Sequence, residues 1–300
     1  MHRTTLTALA AVTALTVAAC GSSGSKDAAP IVATTDAWGS VAGAVAGKHT
    51  TVKSILTNPQ DDPHSYEATP ADAAAIGDAS LVIYNGGGYD HWADTILANH
   101  KNIKTVNAYS LLPPSAPGAP PANEHVFYDL DVAKAVATKI ADDLAASDPA
   151  GAEAYRVGAA EFTKQADAIA VTERAIGQNH PGASVVATEP VAHYLLKAAG
   201  IADSTPRGFA EASEAGHDPS PADLAAVLDL INGHHISALV VNKQAETAVT
   251  KQLQEAAQKA ALPVIEVTET LPAGLDYLAW QRQTAESFAH QLDGAPAAHR

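Results

Sequence analysis

His64 and His125 stand in contexts that fit one shared metal site. His64 lies in Asp61-Asp62-Pro63-His64-Ser65-Tyr66-Glu67, and His125 in Asn123-Glu124-His125-Val126-Phe127-Tyr128-Asp129. Each falls on a predicted loop just before a predicted helix, where a rigid scaffold usually presents binding groups. Neutral imidazole is the commonest metal ligand in proteins. The chain has 13 His against one Met and one Cys, which favours nitrogen and oxygen donors and disfavours copper(I). With Cys20 as the only cysteine, neither an intrachain disulfide nor a cysteine-based zinc site is available.

The elements that must position these residues alternate. Strands are predicted at 31–34, 52–56, 81–84, 105–107, 184–187, 238–241 and 264–267, each a short apolar run. Helices are predicted between them, including one opened by Thr69 as cap with Pro70 at its first position. Another is opened by Ser220-Pro221. Short buried strands alternating with helices indicate parallel sheets covered on both faces. Gly86-Gly87-Gly88 lacks the Lys and Ser/Thr of a phosphate-binding loop.

In the middle of the chain Tyr155, Phe162, Ile169 and Ile176 fall seven apart, one apolar stripe on a continuous helix. Running over 149–177 and capped by Asp148, it would be about 43 Å long. That exceeds what either half needs and suits a rigid connection. The expected fold is therefore α/β: two lobes, each a mainly parallel sheet flanked by helices, joined by one long rigid α-helix. The boundaries read as 30–147 for the first lobe, 148–178 for the linking helix and 179–300 for the second lobe.

The N-terminus carries a location. Met1-His2-Arg3 precedes an apolar stretch from Leu6 to Ala19, too short to span a bilayer. Val17-Ala18-Ala19-Cys20-Gly21 resembles the cleavage box of bacterial lipoproteins. Residues 1–19 then form a signal peptide, Cys20 is the lipidated residue that anchors the chain to the membrane, and 20–29 is a flexible tether. The net charge of −15 makes the chain a poor candidate for nucleic acid, which rewards Lys/Arg clusters. It suits attraction of cations.

These segments resemble the solute-binding receptors of bacterial zinc and manganese ABC importers. Asp62-Pro63-His64-Ser65-Tyr66-Glu67 with Thr69-Pro70-Ala71-Asp72 is similar to that family's first ligand segment, and Glu124 to Asp129 to its second. Thr188-Glu189-Pro190-Val191-Ala192-His193-Tyr194 is similar to the third, and Val267-Thr268-Glu269-Thr270-Leu271-Pro272 to the fourth. Asp218-Pro219-Ser220-Pro221 matches the family's loop before the next helix. The likeness spans roughly residues 30–290.

The resemblance implies metal ligands at His64, His125, Glu189 and Glu269, two from each lobe. Each would lie near the end of a strand, where open α/β sheets bind ligands. Two neutral imidazoles and two carboxylates would neutralise a divalent cation. It further implies Zn2+ or Mn2+ as transported cargo, one per chain, an ABC permease as partner, a monomer, and no catalytic step. Glu rather than a third His at 189 resembles the manganese branch, and oxygen donors suit manganese. The zinc branch often has a His-rich loop near residues 112–124, which here is Pro-rich. The family's usual fourth ligand is Asp; Glu269 is one methylene longer.

Plainer uses exist for every one of these side chains. His64 suits a turn, His125 a solvent-facing position, Glu189 a helix N-terminus and Glu269 a cap. His193, one turn beyond Glu189, is a substitute ligand or a packing residue. His217 and Asp218 sit on a loop that would help capture metal. His91, His234, His235 and His299 read as structural or surface residues. Two other functions compete. A zinc hydrolase would want an open coordination position and a general base, and no His-Glu-x-x-His stretch is present. A chelate or siderophore receptor would want an aromatic or Arg-lined cleft, and the chain has few of either. An adhesin is a further use to which anchored receptors of this kind are put.

Overall fold

The computed structural model describes residues 30–294 other than 62, 115, 117, 118 and 120. The signal peptide, Cys20, the tether and His299 lie outside the described residues. The first half runs β1 (Ile31–Thr35), α1 (Asp36–Ala46), β2 (Val52–Leu56), α2 (Pro70–Gly77), β3 (Leu81–Tyr84), α3 (His91–Leu97), β4 (Lys104–Asn107) and α4 (Leu130–Ser147). After α5 (Ala152–Asn179) come β5 (Ser184–Ala187), α6 (His193–Ala199), β6 (Ala202–Asp203), α7 (Arg207–Glu214) and α8 (Pro221–Asn232). The chain closes with β7 (Ala238–Asn242), α9 (Ala248–Lys259), β8 (Val264–Val267) and α10 (Tyr277–Asp293).

Two four-stranded sheets result, ordered β2-β1-β3-β4 and β6-β5-β7-β8, with every pairing parallel. Parallel strands need helical crossovers, so both faces are covered. The layers are visible in β1, where alternate residues point to opposite faces. Ile31 and Ala33 join an inner core, whereas Val32 joins an outer one with Ile76, Val82 and Trp92. In the second lobe Val185 and Ala187 face the inner core, and Val186 packs outward with Leu239 and Phe209. The inner core is continuous between the two sheets.

The link between the lobes is α5. Its stripe Tyr155, Phe162, Ile169 and Ile176 is buried as expected, and the helix packs against α1 and α4 of the first lobe and α6 and α10 that follow it. Two glycines set how closely it docks. A Cβ at Gly158 would lie 2.8 Å from the Val45 carbonyl oxygen of α1, and one at Gly177 only 1.8 Å from that of Ala199 in α6. The helix is thus seated backbone-to-backbone on an element of each lobe. Gly177→Ala is expected to lower stability by about 2 kcal/mol, the clash outweighing alanine's better helix propensity. Thermal unfolding reads the loss.

One expectation is corrected. Asp148 does not cap α5: it closes α4, and its Oδ2 accepts the Tyr155 hydroxyl at 2.8 Å. The helix starts at Ala152, three residues past Pro149.

A second tie runs along the C-terminal segment. The Tyr128 hydroxyl donates to the Thr268 carbonyl (2.9 Å), and the Leu271 amide to Asp36 Oδ1 (3.1 Å). The Tyr277 amide reaches Ser40 Oγ (2.9 Å), and the Tyr277 hydroxyl and Gln281 Nε2 both reach the Phe127 carbonyl. The chain leaving β8 is therefore strapped onto the first lobe.

Candidate metal centre

His64 sits in a single 3-10 turn, Pro63–Ser65, between β2 and α2, and its side chain keeps 31% of its exposure. Thr69 caps α2 with a reciprocal bond to Asp72, which fixes where the turn ends. His125 precedes another 3-10 turn, Val126–Tyr128, and is buried. Glu189 follows β5 and precedes the turn Pro190–Ala192; Glu269 follows β8 and is buried. All four therefore come from loops at the mouth between the two sheets.

Three converge tightly. Glu269 Oε2 lies 3.1 Å from His64 Nε2 and 3.6 Å from His125 Nε2. One ligand atom from each of the three falls within 4.8 Å of the others. Two donors about 2.1 Å from one ion at a tetrahedral angle would stand about 3.4 Å apart, so these spacings match a shared cation. Glu269 Oε2 is buried and accepts no hydrogen bond of good geometry. Such an atom costs free energy unless something positive meets it.

Glu189 is not within that tight group. It lines the same cavity of about 310 Å3, with Glu214 and Gly216 at the end of α7. It is tied to Glu269 through Asn242, whose Nδ2 donates to Glu189 Oε2 and, at 2.7 Å, to Glu269 Oε1. One amide thus aligns both carboxylates. Burial pushes Glu189 up to about 7, opposed by the Asn242 hydrogen bond. Burial works to raise Glu269, but the close approach and charge of His125 and His64 reverse it and hold that carboxyl well below the usual range.

The rings are held as well as the carboxylates. Asn123 Oδ1 accepts from the His125 backbone amide (2.9 Å) and stands 3.1 Å from His125 Nδ1. An Nδ1–H there leaves Nε2 free to ligate. The Tyr89 ring lies 4.9 Å from the His64 ring and 5.9 Å from that of His125, which limits their tilt. Gln244 bridges the lobes: its Nε2 donates to the Asp61 carbonyl beside the His64 turn and to Thr270 Oγ1, while its Oε1 accepts the Glu269 amide. None of Asn123, Asn242 or Gln244 announces itself in the sequence.

The remaining expectations separate. His193 starts α6 and lines a different cavity, of about 710 Å3, beside Asp129 and Glu173. The turn at the mouth is 213–216, with neither His217 nor Asp218 among the cavity's lining residues. His91 is exposed at the start of α3, and His234 has a positive φ in the turn after α8. Among the described residues no helix is long and apolar enough to cross a membrane.

Comparison with known proteins agrees with the architecture. The profile of the family described as "Zinc-uptake complex component A periplasmic" matches residues 31–291. The manganese-binding lipoprotein MntA of Halalkalibacterium halodurans is 26% identical over 251 residues, covering 80% of each chain. The periplasmic zinc-binding protein TroA of Treponema pallidum superimposes with a TM-score of 0.74 at 20% identity, over 88% of this chain and 99% of its own. The laminin-binding protein Lmb of Streptococcus agalactiae, titled a bifunctional protein with adhesin and metal-transporting activity, gives 0.75 at 21% identity, over 88% and 99%.

Proposed function

The chain belongs to the family of the periplasmic zinc-uptake complex component A, and from that premise we propose that it captures one Mn2+ or Zn2+ outside the membrane and hands it to an ABC permease. The ligands are His64, His125, Glu189 and Glu269. The observation that carries this is Glu269 Oε2, buried and facing two imidazole nitrogens at 3.1 and 3.6 Å. A short swing of Glu189 towards that point closes the shell with a second carboxylate.

Two nitrogens and two carboxylates give a neutral centre around a dication and leave no open position for a reacting water. The protein therefore holds metal and has no catalytic step. Oxygen donors favour manganese as cargo, although zinc has the higher intrinsic affinity; the manganese-binding relative supports the same choice. Residues 30–147 and 179–300 act as two lobes, with 148–178 linking them. Cys20 carries the lipid that keeps the chain, as a monomer, on the outer face of the cell membrane.

Release requires the two lobes to shift when the permease docks. The backbone-to-backbone seating of α5 and the strap along 268–281 restrict that shift to a small rigid-body displacement.

The test uses the chain with Cys20→Ser and without residues 1–19. Elemental analysis and competitive titration with both metals are expected to give one equivalent, lost in His64→Ala. No stoichiometric metal, or binding indifferent to His64, would reject the site.

A further inference from the structure

We propose that Glu124 is the residue that positions His64 for metal, by accepting the Nδ1 proton on the side of the ring away from the cation. The proposal rests on the receptor function above. Glu124 Oε1 lies 3.3 Å from His64 Nδ1, while Nε2 of the same ring faces Glu269. The ring is thus held at both nitrogens along one line, carboxylate behind and ligand point in front. A ligating imidazole generally donates its other N–H to such a partner, which fixes its orientation and strengthens it as a donor.

The two imidazoles need different degrees of help. His125 is buried, and a neutral amide, Asn123, stands at its Nδ1. His64 sits on one turn of 3-10 helix with a third of its side chain in solvent. Tyr89 and His125 flank the ring but leave part of it in water, so a charged acceptor adds the stronger restraint.

The surroundings hold Glu124 for this purpose. Its carbonyl accepts Asn85 Nδ2 at 2.8 Å, and Asn85 Oδ1 is itself held by Trp38 Nε1. Asp90 accepts the backbone amides of Asn85 and Gly86, which pins the glycine turn beneath. Within that turn Gly88 has φ +102°, and a Cβ there would come 3.2 Å from Glu124 Oε2. A side chain at 88 would both strain the backbone and press on the carboxylate. With 19% of its side chain exposed, Glu124 is reached from the cleft yet sheltered. It sits behind the ring, so it is not a fifth ligand.

The test compares Glu124→Leu, which removes the acceptor at similar size, with Glu124→Gln, which keeps an acceptor oxygen without charge. Affinities for Zn2+ and Mn2+ are expected to fall about 10–100-fold in Glu124→Leu and to recover part of that loss in Glu124→Gln, which keeps the acceptor but not the charge. A second readout is proton NMR of the Co2+-loaded chain. The wild type should show two shifted, exchangeable imidazole N–H signals, and Glu124→Leu should lose the His64 signal to rapid exchange with water. A general packing role would not move that signal. Wild-type affinity with both signals retained in Glu124→Leu overturns the proposal, as does a Glu124→Gln chain as weak as Glu124→Leu. Failure of the wild type itself to bind metal is a separate result, and it removes the receptor function along with the role of Glu124.

Discussion

Glu269→Ala is expected to abolish stoichiometric metal binding, lowering affinity by well over 100-fold. Loss of a partner behind a ligand costs about 10–100-fold, and Glu269 is itself in front. Among the described residues it is the acidic side chain that faces both imidazoles, at 3.1 and 3.6 Å. It is also where the second lobe meets the two histidines of the first. Its removal takes away the carboxylate that faces Nε2 of both imidazoles, leaving His64 with only Glu124 behind it, and Asn242 Nδ2 with Glu189 alone. Glu269→Asp keeps the charge but withdraws it by one methylene, so binding there is expected to be weakened and not lost. Competitive titration measures both. Retained high affinity in Glu269→Ala would mean that the cation sits elsewhere.

The second large effect concerns stability and a residue that does not line the metal cleft. Glu173 is 1% exposed in the apolar stripe of α5, and its Oε1 accepts no hydrogen bond. Burial pushes its carboxyl up to about 8; nearby Asp129 adds to this, and Arg174 opposes it. The sign follows from proton linkage. Between about 4.5, the ordinary value, and about 8, the folded chain holds a proton that the unfolded chain has released. Raising the pH through that window therefore favours unfolding. The stability that protonated Glu173 allows is fully present below 4.5 and is lost as the pH approaches 8. Glu173→Gln places a neutral side chain of the same size there. It should be more stable than the wild type at pH 8, by on the order of 3–5 kcal/mol, and nearly equal at pH 4.5. Denaturant unfolding at both pH values gives the difference; equal stability at pH 8 would show that Glu173 is ionised and satisfied in the fold.

Glu173 also shows where sequence reading stops. The seven-residue spacing of Tyr155, Phe162, Ile169 and Ile176 revealed one row of the buried face. The second row, Ala159, Ala166 and Glu173, has the same spacing, but two alanines carry little apolar signal, and a glutamate on a helix reads as solvent-facing. The central strands β1, β3, β5 and β7 were legible because parallel strands covered on both faces are near-continuous apolar runs, and the mixed β2 and β4 were placed by the alternation around them. The strand not read was β6, two exposed residues with no apolar run. The short α7 was missed with it, since it opens Arg207-Gly208 after a proline and carries a single large apolar residue, Phe209, too little to show a helical period.

Within the site, legibility followed chemistry. Histidine beside Asp-Pro, or before an aromatic-rich turn, is a visible signal. Glu189 and Glu269 became visible only through the resemblance, because a carboxylate after a strand has many ordinary uses. The amides that align them were not visible at all. Asn242 and Gln244 act through partners as far as 183 residues away, and a neutral amide carries no pattern of its own. Glu124 was read as part of a motif without a role, since its partner, His64, is brought to it only by the fold.

The account stands or falls on where the cation sits. A crystal structure of the metal-loaded chain, with anomalous scattering recorded at the metal edge, locates it directly. The predicted result is a single ion about 2.0–2.2 Å from Nε2 of His64 and His125 and from carboxylate oxygens of Glu189 and Glu269, with Glu124 on His64 Nδ1. An ion bound outside the cleft, or held there without Glu269 or the two histidines, would contradict it.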